Sequence, residues 1–182
     1  MKVGTGRAAT PVSQRETRHR MTAQSMLNDT DFLRIVEATP LVSIDLILHN
    51  ARGEALLGRR ANRPAQGVWF VPGGRIRKNE RVPEALQRIS QRELGVIISQ
   101  AKLLGVFDHL YPDNFLGTPN VSTHYVVLGM EADWRAEWRL TADDQHEEFK
   151  WWTVADLLAS DSVHENTKAY FRSGKEECRM QK

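Results

Sequence analysis

Cys178 is the only cysteine among the 182 residues. An internal disulfide is therefore excluded, and a position so near the C-terminus argues against a reactive role. This shortage of thiols fits a reducing, cytoplasmic compartment. No run of 18 or more apolar residues occurs, so no transmembrane helix and no membrane partner are expected. The N-terminus lacks the apolar core of a secretory signal. Repeats and low-complexity stretches are absent from the body of the chain. A net charge of only +2 gives no global footprint for nucleic acid. Even that excess is local: Lys2, Arg7, Arg15, Arg18 and Arg20 outweigh Glu16, so residues 1–26 carry +4 and the remainder −2. Residues 1–26, rich in Arg, Thr and Ser and without apolar period, read as a disordered basic tail. An RNA-binding arm is the functional alternative there. Residues 27–182 suffice for one domain with a sizeable core and are too few for two.

What the chain does have is the ordinary balance of a globular protein, 41% apolar and 26% charged residues. Asp29 and Thr30 offer caps for a short helix, 31–38, which Pro40 stops. Leu41 to His49 reads as a buried strand, 50–53 as a turn and 54–58 as the returning strand. Asp45 is an acid inside that apolar strand, either a satisfied structural carboxylate or a pocket residue pointing away from the core. Residues 59–67 form a polar loop with three arginines, placed so that one can fold over an anion. Strands are expected at 101–110 and 121–130 around a turn-rich loop, 111–120. The acidic segment 140–148 leads into an aromatic strand, 149–152, a helix capped by Thr153, and a final helix over 165–172 before a frayed, charged tail. Strand pairs, one helix, more strands and then helices argue for an α+β or α/β/α arrangement with a mixed sheet.

The stretch Trp69–Val96 organises the rest. An apolar run (Trp69, Phe70, Val71) breaks at Pro72-Gly73-Gly74, where the backbone can approach a ligand closely. A helix follows, with Val82, Ala85, Leu86 and Ile89 on one face of a 3.6-residue period. Glu93 falls on the same face. A carboxylate on a core-facing stripe is costly unless a metal or cation meets it; the plainer reading is a Glu at a helix end reaching for solvent.

From Gly74 the spacing runs Gly, five residues, Glu80, seven residues, Arg88, then Glu93, Gly95 and the apolar Val96. This resembles the Nudix box, the loop–helix–loop signature of enzymes that hydrolyse nucleoside diphosphates linked to another group. The resemblance implies a Nudix fold, an α/β/α sandwich, over roughly residues 29–172. Two acids of the usual box are replaced, by Ile89 and Arg92, which leaves Glu93 alone of the metal-binding cluster. With NRPAQG-WFVPGGR, D-L-YPDNF-GT, THYVVLG, DDQHEE and LLASD-VH-N, the chain resembles the GDP-mannose mannosyl hydrolases. That subfamily hydrolyses GDP-mannose, and GDP-glucose, at sugar C1 with inversion, releasing GDP and free hexose.

The resemblance implies one Mg²⁺ per site, with Mn²⁺ as a substitute, held by Glu93, the Gly73 carbonyl and the Gln145 amide. It makes His146 the general base, Arg60 and Arg75 the arginines that stabilise departing GDP, and Tyr125 a hydrogen-bond donor to the diphosphate. Arg88 resembles the arginine supporting Glu93 or the diphosphate. Asp45 and His109 match positions that orient the sugar or stabilise its developing charge, and a homodimer is implied. The residues alone leave plainer options: Arg75 as a surface charge, Tyr125 as a core aromatic, His109 and His146 as inert histidines. An ordinary Nudix pyrophosphatase attacking phosphorus is the alternative reaction, and a silent binding module the alternative class.

Overall fold

The computed structural model describes residues 27–60, 67–140 and 146–172, except for the side chains of residues 146 and 147. The expected disorder of 1–26, the frayed C-terminal tail, most of the arginine loop and Gln145 lie outside the described residues.

Helix α1 (Asp29–Ala38) is capped by Asn28, whose side chain accepts from the Asp31 amide at 2.9 Å. The expected caps, Asp29 and Thr30, instead lie inside the helix. Among the described residues seven strands, β1 (Leu41–His49), β2 (Ala55–Arg60), β3 (Trp69–Phe70), β4 (Gly73–Arg75), β5 (Lys102–Tyr111), β6 (Thr123–Asp133) and β7 (His146–Trp152), follow the order β3–β2–β1–β6–β5, with β4 also on β1 and β7 also on β2. Strand β1 runs antiparallel to β2 and β4 and parallel to β6. The sheet is therefore mixed, as expected.

Alternation along β1 sorts its side chains into two cores. Ile44, Leu46 and Leu48 pack with Leu56 against Ala85, Leu86, Ile89 and Leu94 of helix α2 (Val82–Leu94). Ile47 faces the other way and packs with Leu57, Leu157 of α3 (Val154–Ala159) and Tyr170 of α4 (Glu165–Arg172). Both faces of the sheet thus carry helices, which makes an α/β/α sandwich. Asp45 shares the parity of Ile47 and turns toward α4.

Several boundaries move. Strand β2 extends to Arg60 and β7 begins at His146, because these ends pair with each other across the sheet. Strand β5 continues to Tyr111 because Tyr111 pairs with Thr123. The glycine break is itself a strand, β4. Val82, expected on the buried stripe, is 38% exposed: it is the first residue of α2 and lies off the sheet.

Candidate active site

The Pro72-Gly73-Gly74 segment is held against β1 by the Leu46 amide donating to the Pro72 carbonyl at 2.8 Å and the Ile76 amide donating to the Val42 carbonyl at 2.9 Å. Those two bonds set the phase of the ladder. Asp45 and Gly73 face each other as a non-hydrogen-bonded pair, where the backbones come closest. A Cβ at position 73 would stand 2.5 Å from Asp45 Oδ1 and 2.7 Å from the Ile44 carbonyl oxygen. Glycine is required there by contact. The same phase turns the Gly73 carbonyl away from β1.

From β4 the chain crosses a tight loop, with Asn79 at φ +64°, into α2. The Arg88 guanidinium ties this loop down, donating to Glu80 at 2.6 and 2.7 Å and to the Arg75 carbonyl at 2.9 Å. Glu80 also accepts from the Arg77 amide at 2.9 Å. Arg88 therefore holds the loop in shape, a structural support for the site. Gly95 closes α2 in the left-handed conformation at φ +74°.

Glu93 is 2% exposed on the same α2 face as Ile89, which is 1% exposed and wholly in the core. Arg92 Nε stands 3.9 Å from Glu93 Oε1, from a side chain that reaches solvent. Arg75 lies with its guanidinium 4.1 Å from the centre of the Phe32 ring.

On the α4 face, Tyr170 Oη donates to Asp45 Oδ2 at 2.7 Å and lies 3.1 Å from His109 Nε2. Two residues singled out in the sequence are thus joined by one that was not. Burial pushes the Asp45 carboxyl up to about 6, against the opposing pull of the Tyr170 bond and Arg60. Burial pushes His109 down to about 4, with His164 adding to the effect. Burial raises the Tyr125 phenol, while Arg75 and Arg60 pull it back. Arg60 sits over the Phe70 ring at 5.4 Å, and Phe70 stacks on His164 at 4.5 Å. Tyr111 meets His109, Tyr125 and His164 at 6.4, 6.2 and 5.6 Å between ring centres.

Asp45, Arg60, His109 and Tyr125 therefore belong to one cluster, and Gly73 joins it by facing Asp45. Gln145 lies outside the described residues. For His146 the backbone alone is described, opposite Arg60 at the start of β7. Tyr111, His164 and Tyr170 were missed. One signal was available: the chain has only three tyrosines, and all three stand in this cluster.

The fold and site define a sandwich domain built on a loop–helix–loop, with a buried carboxylate on the helix and a polar aromatic cluster across the sheet. The chain belongs to the Nudix hydrolase family, the NUDIX domain matching residues 39–172. It is 39% identical over 122 residues to the low-salt glycan biosynthesis protein Agl8 of Haloferax volcanii, covering 67% of this chain and 76% of that one. The 8-oxo-dGTP diphosphatase of Proteus vulgaris is 38% identical over 50 residues, 28% of this chain and 45% of its own length. Among solved structures, the MutT NUDIX hydrolase of Burkholderia pseudomallei superposes with a TM-score of 0.60 at 27% identity, over 75% of this chain and 99% of that one. The MutT protein of Methanosarcina mazei gives 0.61 at 20% identity, over 75% and 94%. No described helix is long and apolar enough to cross a membrane.

Proposed function

We propose that the chain hydrolyses GDP-mannose, and GDP-glucose, by attack of water at sugar C1 with inversion, releasing GDP and the free hexose. The observation that carries this reading is the state of α2. Of the acids expected on a Nudix helix, Glu93 remains; Ile89 fills the core and Arg92 adds a cation beside the surviving carboxylate. Attack on phosphorus with several metal ions needs more carboxylates than that. Attack at an anomeric carbon has the diphosphate as leaving group, and one divalent cation with arginines suffices to neutralise it.

The donors present suit Mg²⁺. Glu93 supplies a carboxylate and Gly73 a carbonyl turned off its ladder, both the hard oxygen ligands this ion prefers. Gln145 completes the proposed set. Bound there, the ion would neutralise charge on the departing diphosphate. Arg60 and Arg75 orient that diphosphate by charge-assisted bonds, with Tyr125 donating from β6. Asp45 and His109 face the hexose from β1 and β5. His146 takes the proton from the attacking water. The glycan-biosynthesis name of the Haloferax relative supports a sugar-linked substrate. We also assign residues 27–182 to one cytoplasmic catalytic domain that acts as a homodimer.

The test is incubation of GDP-mannose with the protein and Mg²⁺ in ¹⁸O-water. Label in free mannose, with unlabelled GDP, is expected. Label in a phosphate, with GMP and sugar 1-phosphate as products, would assign the chain to the pyrophosphatases instead.

A further inference from the structure

Tyrosine carries one hydroxyl proton. In Tyr170 that proton is given to Asp45 at 2.7 Å, because a carboxylate only accepts. The second contact of the same oxygen, 3.1 Å to His109 Nε2, must then run the other way, with His109 donating. His109 is 4% exposed, and its Nδ1 bonds no other described residue. We infer that Tyr170 is a positioning residue: it holds His109 as the Nε2–H tautomer, so that His109 presents Nδ1 to the substrate as a hydrogen-bond acceptor.

The local packing is built to keep this arrangement. Tyr170 meets Phe107 edge-on at 4.7 Å, and a Cβ on Gly129 would stand 3.0 Å from Phe107 and 3.4 Å from Tyr170. Gly129 is the β6 residue opposite Asp45, so its missing side chain leaves the room through which Tyr170 reaches the carboxylate. A neutral imidazole with a free lone pair recognises a hydroxyl group. It does not offer a cation to a diphosphate. On the proposed reaction, His109 therefore contacts a hexose hydroxyl and contributes to choosing the sugar, while the arginines hold the nucleotide.

The experiment pairs spectroscopy with binding. In full-length protein with ¹⁵N-labelled histidine, the His109 signals, assigned by their loss in His109→Asn, should show the Nε2–H pattern at neutral pH. In Tyr170→Phe that pattern should give way to a tautomer mixture. The same variant should lose about ten- to a hundredfold in kcat/KM for GDP-mannose, while its affinity for GDP, which has no hexose, stays within about twofold. A wild-type His109 that is Nδ1-protonated, or unchanged by Tyr170→Phe, would overturn the assignment. So would equal losses for GDP and GDP-mannose, the mark of a general structural defect. Because the tautomer is read without turnover, failure of the mannosyl hydrolase reading would show separately, as wild-type protein that does not cleave GDP-mannose.

Discussion

Asp45 and Tyr170 stand 125 residues apart in the chain and are joined by a 2.7 Å hydrogen bond. The bond connects the central strand to the last described helix. Tyr170 is buried and Asp45 half-buried, so the hydroxyl needs polar partners, and it finds them in Asp45 and His109. Asp45 is neither of the two things its sequence context offered in isolation. It is a carboxylate satisfied by Tyr170 and a member of the polar aromatic cluster at once.

Gly73 faces Asp45 too closely for any side chain. Gly73→Ala is expected to destabilise the protein by about 1–3 kcal/mol, since the clash is with a β1 backbone oxygen as well as with the carboxylate. Chemical denaturation of the variant measures this directly. An unchanged midpoint would mean that β4 does not lie against β1 as described.

The opposed shifts of Asp45 and His109 predict a pH signature. Asp45 titrates near 6 in the fold and near 3.8 when free, so its contribution to stability is present below about 4 and lost as pH rises through 6. His109 titrates near 4 in the fold and 6.5 when free, so its contribution is full above about 6.5 and lost as pH falls through 4. Between pH 4 and 6 the two oppose each other. Thermal melts of His109→Gln should lose stability as pH rises through that window, and melts of Asp45→Asn should gain it. Identical slopes in both variants would contradict the shifts.

Glu93→Gln keeps the volume of the side chain and removes its charge. Mg²⁺ affinity should fall by at least about tenfold, with secondary structure retained. An isothermal titration that matches the wild type would take Glu93 out of the metal site.

His146→Gln should lower kcat by roughly 10²–10⁴, as loss of a general base does, and leave GDP affinity in place. Near-normal turnover would require another residue as the base.

The architecture was largely legible because periodicity reports burial. The stripe Ala85, Leu86, Ile89 and Glu93 identified α2 and its sheet-facing side, and the apolar run 41–48 identified β1. Thr153 was read correctly as a cap, its Oγ accepting from the Asp156 amide at 3.1 Å. What failed was set by partners distant in sequence. Glycines spell a turn locally, yet Gly73 and Gly74 form a strand because β1 lies alongside. Tyr170 carries no local mark of function; its role appears only when α4 packs on the sheet. The box was readable from spacing because it lies on one continuous segment, whereas the tyrosine cluster is assembled from β5, β6 and α4. Arg88, matched to a support for Glu93 or the diphosphate, is engaged by Glu80 and the Arg75 carbonyl.

The two faces of β1 pack against separate helices. Helix α2 lies over Ile44 and Leu46; α4 and its tyrosine lie over Asp45 and Ile47. Adjacent residues of one strand thus answer to different halves of the chain. A change in α4 therefore acts first on the Asp45 face of the sheet, and a change in α2 on the Ile44 face.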